Sequence, residues 1–525
     1  MLVSYVYVKI LFLLLVIFYV ESYHNDRKCA ARSYFNRSVV CVCNATYCDD
    51  VTREEVACGQ YIWYTSSEAG LRFDKFTSRL ENFIPSAQSS YTTLDLNVNT
   101  KYQTVEGFGG AVSDAVGINW QNLTDPQLKQ NLIDTYFGDK GLQYSMLRVP
   151  IAASDFSTHV YAYNEYPEND YELSNYSLSY EDYQYKIPFI KAALAVAKTP
   201  IHIIATVWSP PKWMKNSHEY TGVSRLKKEF FQTYADYYKK FIEKYSEEGI
   251  PIWGITTTNE PLEGILLIVP FNSLGWTSLS MGTWIKENLG PTIKNWRPDI
   301  KILAGDDQRP IITFWFELIA KVMPEVLQYI DGIAVHGYLD KLVPPDILKR
   351  TQELFKNQFI IATEYCEGLL PTDKLKVDLG SWERAVSYTQ NILEDLNYNL
   401  TGWIDWNLCL NAQGGPNWVK NYVDSPVIVF PERGEFVKQP MFYAMGHFSK
   451  FIPRGSRRIQ VRELSFTTID NVAFLTPQNT VVVVLYNDKN ESRIVNLILD
   501  GKQASVLTEA NSITTVEISN GCDSL

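Results

Sequence analysis

The chain has 525 residues, which exceeds one ordinary hydrophobic core and predicts two or three domains. Its composition, 46% hydrophobic and 20% charged, is that of a globular protein. The formal net charge of −11 argues against nucleic acid as a partner, because nucleic-acid-binding surfaces are normally basic. Aromatic residues make up 14% of the chain, and such rings suit stacking on sugars, although most of them are expected in the core.

Residues 1–22 have the pattern of a cleaved secretory signal peptide. Lys9 is their only cation, residues 10–20 are apolar, and polar residues begin at Glu21. An apolar run of 11 residues is short for crossing a bilayer, so a cleaved signal is favoured over an uncleaved anchor.

Residues 23–58 are expected to form a small β-segment stapled by disulfides. Five cysteines fall within it, and clustered cysteines in an exported chain are typical of disulfides rather than metal ligands. They are Cys29, Cys41, Cys43, Cys48 and Cys58. The Asn44 sequon predicts glycosylation, in keeping with export, and further sequons begin at Asn36, Asn122, Asn175, Asn399 and Asn490.

Between residues 101 and 455, apolar β-rich runs alternate with helical patterns, which predicts a parallel α/β domain. The clearest helical pattern places aromatic side chains at helical spacing over residues 230–245. Eight strand-helix units favour a (β/α)8 TIM barrel over a doubly wound sheet. The predicted strands are 104–108, 145–149, 202–207, 252–257, 302–304, 332–335, 359–363 and 402–406.

From Arg458 onward, short alternating strands predict an antiparallel β-sandwich. Residues 92–98 are also strand-like, so the sandwich is expected to include residues from before the barrel. We therefore assign residues 59–100 and 456–525 to this domain.

Two glutamates stand at predicted strand exits, Glu260 after the fourth strand and Glu364 after the seventh. The carboxyl ends of barrel strands are where TIM-barrel enzymes keep their chemistry. Two carboxylates that face one cleft are the minimum apparatus for cleaving a glycosidic bond. Considered singly, each could instead be a helix cap or a surface charge.

Other polar and aromatic residues gather at the same predicted edge. Each has a structural alternative: Trp208 as a loop anchor, His336 as a core histidine, and Arg148 as a member of an ion pair inside the barrel. Their shared placement favours a site. The candidates are Arg148, Asp155, Trp208, Asn259, His336, Tyr338, Asp405 and Trp406.

Motifs for other chemistries are missing from the sequence. Residues 107–110 are glycine-rich, but Val112 stands where the dinucleotide fingerprint needs its third glycine. The sequence has no phosphate loop, no His-Glu-x-x-His and no Gly-x-Ser-x-Gly. We expect no cofactor and no metal.

Six short motifs follow one another over nearly the whole mature chain: residues 41–48 (CVCNATYC), 107–111 (GFGGA), 258–261 (TNEP), 414–418 (GGPNW), 424–426 (DSP) and 438–443 (KQPMFY). Together they are more specific than an Asn-Glu-Pro motif alone. In these motifs the chain resembles the glucosylceramidase family, the lysosomal β-glucosidases that cleave glucosylceramide.

The resemblance implies a retaining mechanism with Glu260 as acid/base and Glu364 as nucleophile. It implies disulfides Cys29–Cys41 and Cys43–Cys48, a lysosomal address reached by the secretory pathway, and a saposin-type activator protein acting at an anionic lipid surface; secretion is the alternative destination. The implied glucose contacts come from Asp155, Trp208, Asn259, Trp406 and Asn421, to which we add Tyr338 and Arg148 as binding candidates.

The protonation of the two glutamates follows from their charges. Anionic Glu364 is expected to keep the proton on Glu260 by repulsion, and Arg148 to keep Glu364 ionised.

The chain departs from the family pattern in two places. Val269 stands at the cleft rim where the family often has an aromatic residue, which changes the expected entrance for the aglycone. Cys58 and Cys522 lie outside the pattern, and we hypothesise that they pair.

Two rival functions stay open. One is a related barrel glycosidase acting on another β-glycoside, such as a xyloside or a glucan. The other is a non-catalytic secreted protein that binds sugar or lipid.

Overall fold

The structure is a computed structural model that describes residues 26–35, 37–84, 91–266, 269–370 and 372–521. The predicted signal peptide and Cys522 lie outside the described residues. The signal peptide and the Cys58–Cys522 pairing therefore stay predictions.

Eight parallel strands close into a barrel, which confirms the predicted (β/α)8 architecture. Most of their residues are buried, as expected for strands covered by helices on the outside. The strands are β1 (Gly107–Ala111), β2 (Met146–Ile151), β3 (His202–Val207), β4 (Ile252–Thr256), β5 (Lys301–Gln308), β6 (Gly332–His336), β7 (Phe359–Glu364) and β8 (Leu400–Asn407).

Strand β1 begins at Gly107, and the predicted start at residue 104 is wrong. Thr104 instead ends a sandwich strand and pairs with Arg457. Glycine has low strand propensity, so the sequence pattern did not predict that the strand occupies the glycine-rich residues 107–111. Here it permits close packing, because a Cβ on Gly109 would lie 1.9 Å from the carbonyl oxygen of Met146 in β2.

Helices follow the barrel strands along the chain. The aromatic pattern predicted as helical forms Phe231–Glu247, with Tyr234, Tyr237, Tyr238 and Phe241 buried. The Tyr238 hydroxyl donates to the carbonyl of residue 257 at 2.8 Å, which supports the exit of β4. The α-helices in the described ranges are Asp114–Asn122, Pro126–Phe137, Ile187–Val196, Phe231–Glu247, Glu263–Leu266, Ser278–Trp284, Gly290–Lys294, Arg309–Val322, Asp346–Leu354, Trp382–Asn397 and Pro440–Ser449. None of these helices combines the length and the apolar character that crossing a bilayer requires.

The predicted β-sandwich is present and has its own apolar core. The strand Thr92–Thr104 joins it as expected, pairing antiparallel with Arg457–Glu463. It also pairs parallel with Arg493–Leu499, whereas the other described pairings of this sheet are antiparallel. The strands are Gln60–Ser67, Asp74–Arg79, Glu81–Asn82, Thr92–Thr104, Arg457–Glu463, Asp470–Leu475, Thr480–Asn487, Arg493–Leu499, Lys502–Thr508 and Ser512–Ser519.

The N-terminal strands share a sheet with a segment that follows β8. Disulfides Cys29–Cys41 and Cys43–Cys48 are both formed, as the resemblance implies. Asn44 is exposed at the end of its strand, and its glycosylation stays a prediction. The five strands are Ala31–Ser33, Val39–Asn44, Cys409–Asn411, Val427–Phe430 and Glu435–Lys438.

One buried guanidinium joins two helices that flank the barrel. Arg309 pairs with Asp340 at 2.5 Å and with Asp395 at 2.8 Å, and it also contacts Glu394. Burial raises the pKa of Asp340 to about 7, although Arg309 opposes the rise. Burial and the neighbouring Asp340 raise the pKa of Asp395 well above its ordinary value. One cation faces three carboxyl groups, so this cluster is most stable when it also holds a proton.

The Asp395→Asn variant tests this cluster. Carboxyl groups whose pKa is raised on folding contribute stability at acid pH and lose it as the pH rises through the folded-state value. We expect the melting temperature of the wild type to fall between pH 5.0 and pH 7.5. The melting temperature of the variant should fall by about 2 °C less. Calorimetry at both pH values measures the difference. Asp299→Asn, at the exposed Arg297–Asp299 pair, is the control. Equal falls for the variant and the wild type would contradict the assignment.

Candidate active site

A cavity of about 390 Å³ lies at the carboxyl ends of the barrel strands. Loops that follow six of the eight strands contribute to its lining, as the strand-exit pattern predicts. Most of the predicted site residues meet here: Asp155, Trp208, Asn259, Glu260, Tyr338, Glu364, Trp406 and Asn421. Arg148 is fully buried beneath them and contacts the site through Glu364.

Glu364 ends β7 and is held at both carboxylate oxygens. The Tyr338 hydroxyl donates to Oε1 at 2.8 Å, and the Arg148 guanidinium donates to Oε2. Burial raises the pKa of Glu364, and Arg148 opposes the rise without cancelling it. Arg148 therefore acts in the predicted direction, but burial has the larger effect.

Glu260 follows β4 in a fixed orientation. Its φ of +41° lies outside the usual range for an L-residue, which indicates local strain at the site. The backbone N–H donates to the Asp306 carbonyl at 2.9 Å. Oε1 accepts hydrogen bonds from Gln308 Nε2 at 2.7 Å and from His336 Nδ1 at 2.8 Å. The backbone bond thus fixes the residue, and the two side-chain contacts define the direction of its carboxyl group.

His336 is a buried cation between two carboxylates. Burial lowers its pKa, but Glu364, Asp306 and Glu260 outweigh burial and raise the pKa to about 10. The ring donates Nδ1–H to Glu260 and Nε2–H to Asp306 at 3.2 Å. Burial alone would raise the pKa of Glu260, but His336 outweighs it and lowers that pKa. The expectation that anionic Glu364 keeps the proton on Glu260 is therefore wrong, because His336 lowers the pKa of Glu260 instead.

Asp306 lies under the site and was not among the predicted residues. It accepts hydrogen bonds from Arg148 Nη2 at 2.9 Å, Thr256 Oγ1 at 2.7 Å and Thr363 Oγ1 at 2.7 Å. Burial favours the neutral form, but Arg148 and His336 outweigh it and hold the pKa of Asp306 well below its usual range. The fifth strand was predicted to end at residue 304, whereas β5 runs to Gln308. Asp306 was therefore not recognised as a polar residue near the end of a barrel strand.

Other residues of the cavity lining are polar or aromatic. Asp155 Oδ2 accepts hydrogen bonds from the side-chain amides of Asn417 at 3.1 Å and Asn421 at 3.2 Å. Burial and anionic Glu364 raise the pKa of Asp155 to about 7. The rings of Trp208 and Trp406 stack at 5.2 Å with an interplanar angle of 19°. Asn417 is a further residue that sequence reasoning missed, although it lies in the quoted GGPNW motif.

Comparisons with known proteins agree with this architecture. Residues 105–452 match the TIM-barrel domain of glycosyl hydrolase family 30, and residues 455–516 match the β-sandwich domain of that family. The chain belongs to glycosyl hydrolase family 30. It is 41% identical to mouse lysosomal acid glucosylceramidase over 474 residues, which cover 89% of this chain and 91% of that protein. It is 38% identical to putative glucosylceramidase 3 of Caenorhabditis elegans over 481 residues, 90% of each chain.

Solved structures support the same fold for this family 30 glycoside hydrolase. The crystal structure of SrfJ from Salmonella typhimurium matches with a TM-score of 0.79 at 21% identity, over 88% of this chain and 100% of that one. The endo-β1,6-glucanase BT3312 matches with a TM-score of 0.77 at 24% identity, with the same coverage. The resemblance to the glucosylceramidases therefore holds in sequence, and the fold is shared more widely.

The same carboxylates could in principle hold a metal ion. Glu260, His336 and Glu364 each place a ligand atom within 4.8 Å of the others. A histidine must be neutral to bind a metal, and the raised pKa of His336 keeps the ring protonated. The guanidinium of Arg148 adds a second positive charge beside Glu364. The positive charges of His336 and Arg148 therefore oppose a cation bound by these three residues at this family 30 site.

The Arg148→Lys variant tests the support beneath Glu364. One guanidinium donates to Glu364, Asn259 and Asp306, and a lysine ammonium cannot span the three in the same geometry. We expect kcat/KM on an aryl β-glucoside to fall about 100-fold, mostly in kcat. Arg350→Lys, at the exposed pair with Glu317, is the matched control. Activity within threefold of the wild type would show that the three hydrogen bonds from the guanidinium are dispensable.

Proposed function

We propose that this enzyme is a retaining β-glucosidase that hydrolyses glucosylceramide to glucose and ceramide. The observation that carries the proposal is the separation of the two carboxyl groups. One oxygen of Glu260 lies within 4.8 Å of one oxygen of Glu364. Retaining glycosidases hold their two carboxyl groups roughly 5 to 5.5 Å apart, and inverting enzymes roughly 6.5 to 9.5 Å apart. The relationship to the mouse glucosylceramidase supports the choice of substrate.

The proposed reaction has two displacements. Glu364 attacks the anomeric carbon, and Glu260 gives its proton to the ceramide oxygen as the glycosidic bond breaks. A water then attacks the anomeric carbon while Glu260 takes a proton from it, and the bond to Glu364 breaks. Glucose leaves, and both carboxyl groups return to their starting states.

The sugar contacts are proposed from the lining of the cavity. Asp155 and Asn421 offer hydrogen-bonding groups, and Trp208 and Trp406 offer apolar faces on which a sugar ring packs. Asn259 accepts from Arg148 through Oδ1, and its Nδ2 is available to donate to the 2-hydroxyl, a bond that strengthens at the transition state.

Two further predicted binding residues act on Glu364 instead. Tyr338 and Arg148 both donate to its carboxylate, so we propose that they position the nucleophile rather than contact the sugar. This role follows from their contacts and leaves the sugar contacts to the cavity wall.

The cavity mouth suits a lipid aglycone. Leu266 and Leu339 line the mouth and are 68% and 41% exposed, and Phe271, Ile311 and Leu369 extend the same apolar lining. The exposed residues that line this edge are leucines. Val269 is partly buried and lies between Leu266 and Phe271 in the sequence. We propose that this apolar rim faces the surface of an anionic lipid membrane.

Compartment and activator are proposed from the relationship to the mouse protein. We propose that the enzyme reaches the lysosome by the secretory pathway, where protonation reduces its negative charge and eases its approach to anionic lipid. We also propose dependence on a saposin-type activator protein that presents the lipid to the rim.

A substrate panel tests the proposed function. Purified enzyme is given glucosylceramide, galactosylceramide and a β-1,6-glucan in anionic vesicles or buffer, at pH 5 and pH 7. We expect glucosylceramide to be cleaved at least about 100-fold better than the other two, the size of discrimination a site built on sugar hydroxyls achieves. The glucan matters because the chain is also 25% identical to endo-1,6-beta-D-glucanase BGN16.3 of Trichoderma harzianum. Preference for the glucan would overturn the lipid substrate, and no hydrolysis of any of them would favour a non-catalytic binding protein.

A further inference from the structure

A hairpin of residues 215–226 follows β3 and packs against the segment that carries the apolar rim of the cavity. At the base of this supporting hairpin, Lys215 and Leu226 pair in antiparallel orientation. Further along, Thr221 pairs with Asn272, which belongs to the segment after β4. The proposed mechanism gives the supporting hairpin no role.

The supporting hairpin holds the rim segment at both ends. Ser224 donates its N–H to the Gly264 carbonyl at 2.9 Å, and the Ser224 carbonyl accepts from the Gly275 N–H at 2.7 Å. The two glycines pack so closely that a Cβ on Gly264 would lie 2.1 Å from the Gly275 nitrogen. Leu266 and Phe271, which line the cavity, lie between these glycines in the sequence. The position of the hairpin therefore sets the position of the apolar rim.

The ammonium of Lys215 joins the hairpin to both neighbouring segments. The side chain is fully buried. Its Nζ donates to Ser209 Oγ at 3.1 Å, to the Tyr220 carbonyl at 2.8 Å and to the Ser273 carbonyl at 2.7 Å. Ser209 lies two residues beyond β3, and Ser273 lies in the rim segment. One charged group thus connects the end of a barrel strand to the rim.

The three hydrogen bonds restrain the rim because their acceptors are uncharged. A buried ammonium is costly unless its three donors are all used, and here three acceptors meet them. Burial lowers the pKa of Lys215 to about 7; Glu219 opposes this effect and Lys212 adds to it, so the group is charged at pH 5. Movement of the rim away from the hairpin would leave a buried N–H and the buried Ser273 carbonyl unpaired.

The barrel end of this connection is held by other contacts. Trp208, which precedes Ser209, stacks on Trp406 at 5.2 Å. The Arg148 guanidinium lies over the Trp208 ring, 4.9 Å from its centroid. The sugar side of the cavity therefore has supports besides Lys215, whereas the rim is linked to the end of β3 through this lysine.

We propose that Lys215 is a positioning residue that holds the apolar rim in register with the end of β3 and thereby favours aglycones that carry an alkyl chain. The proposal rests on the proposed β-glucosidase function and deepens it, because it names the group that sets the aglycone side of the same cavity. Without the ammonium, the Tyr220 and Ser273 carbonyls lose this donor, and the rim segment shifts until water reaches them. Contacts of an alkyl chain with Leu266 and Phe271 are then lost, and the contacts to glucose remain.

The Lys215→Met variant tests the proposal, since methionine fills a similar space without a donor. Values of kcat and KM are measured at pH 5 on methyl β-glucoside and hexyl β-glucoside, which differ only in the alkyl chain. Lys450→Met is the matched control. Lys450 is also buried and donates to carbonyls, those of Asp139 at 2.5 Å and Gly141 at 2.9 Å. Both carbonyls precede β2 and so belong to the end of the barrel opposite the cavity.

The measured quantity is the preference for the hexyl over the methyl glucoside, as a ratio of kcat/KM values. We expect this ratio to fall at least about fivefold in Lys215→Met, mostly through a higher KM on the hexyl glucoside. On methyl β-glucoside the variant should stay within about twofold of the wild type, and the control should keep the wild-type preference.

An unchanged preference in Lys215→Met, equal losses on both glucosides, or an equal fall in the control would overturn the proposal. If Lys215→Met does not fold, Ser209→Ala decides, because it removes only one of the three acceptors. For Ser209→Ala we expect the preference to fall about threefold, and an unchanged preference would overturn the proposal.

The wild type separates this proposal from the proposed function. A wild type that prefers the hexyl glucoside but does not cleave glucosylceramide would overturn only the lipid substrate. A wild type that cleaves both glucosides equally well would overturn the role of the rim and of Lys215. A wild type inactive on every glucoside would overturn both proposals.

Discussion

The site depends on one buried guanidinium. Arg148 is fully enclosed, and it donates to Glu364, Asn259 and Asp306, which belong to the ends of β7, β4 and β5. A buried charge is costly unless it is paired and hydrogen-bonded, so this cation requires carboxylates around it. The barrel supplies those carboxylates from separate strands, because all its parallel strands end on the same face. One ion network thereby fixes the position of strands that are far apart in sequence.

The charge balance follows from the same network. Asp306 lies between Arg148 and His336 and is hydrogen-bonded to both, so the two cations and the carboxylates form a single buried cluster. Each carboxyl group in it has a different environment. Glu364 meets a guanidinium and a phenol, whereas Glu260 meets an imidazolium and an amide. Two carboxyl groups can act as nucleophile and acid/base only when their environments give them different pKa values.

The sequence predicts the barrel and the main site residues because both rest on local signals. Apolar runs of strand length mark the barrel, and a polar residue after such a run marks a candidate for the active-site face. The pattern of apolar runs gives the wrong bounds for β1, which is rich in glycine. It also gives too early an end for β5, because this strand continues past its apolar residues and includes Asp306.

Contacts between the ends of different strands could not be predicted from the sequence. The link between His336, the last residue of β6, and Glu260 depends on how the chain turns after β4. A positive φ at Glu260 sets that turn, and no residue type in the sequence announces it. Proton placement is therefore the part of the site that required the structure.

The assignment of Glu364 as nucleophile is the central claim, and covalent trapping tests it most directly. The enzyme is incubated with an epoxide-type glucose mimic, digested with protease, and the modified peptide is located by mass spectrometry. We predict one label per chain, on Glu364, with loss of all β-glucosidase activity in proportion to labelling. A label on Glu260, or full inactivation with Glu364 unmodified, would contradict it.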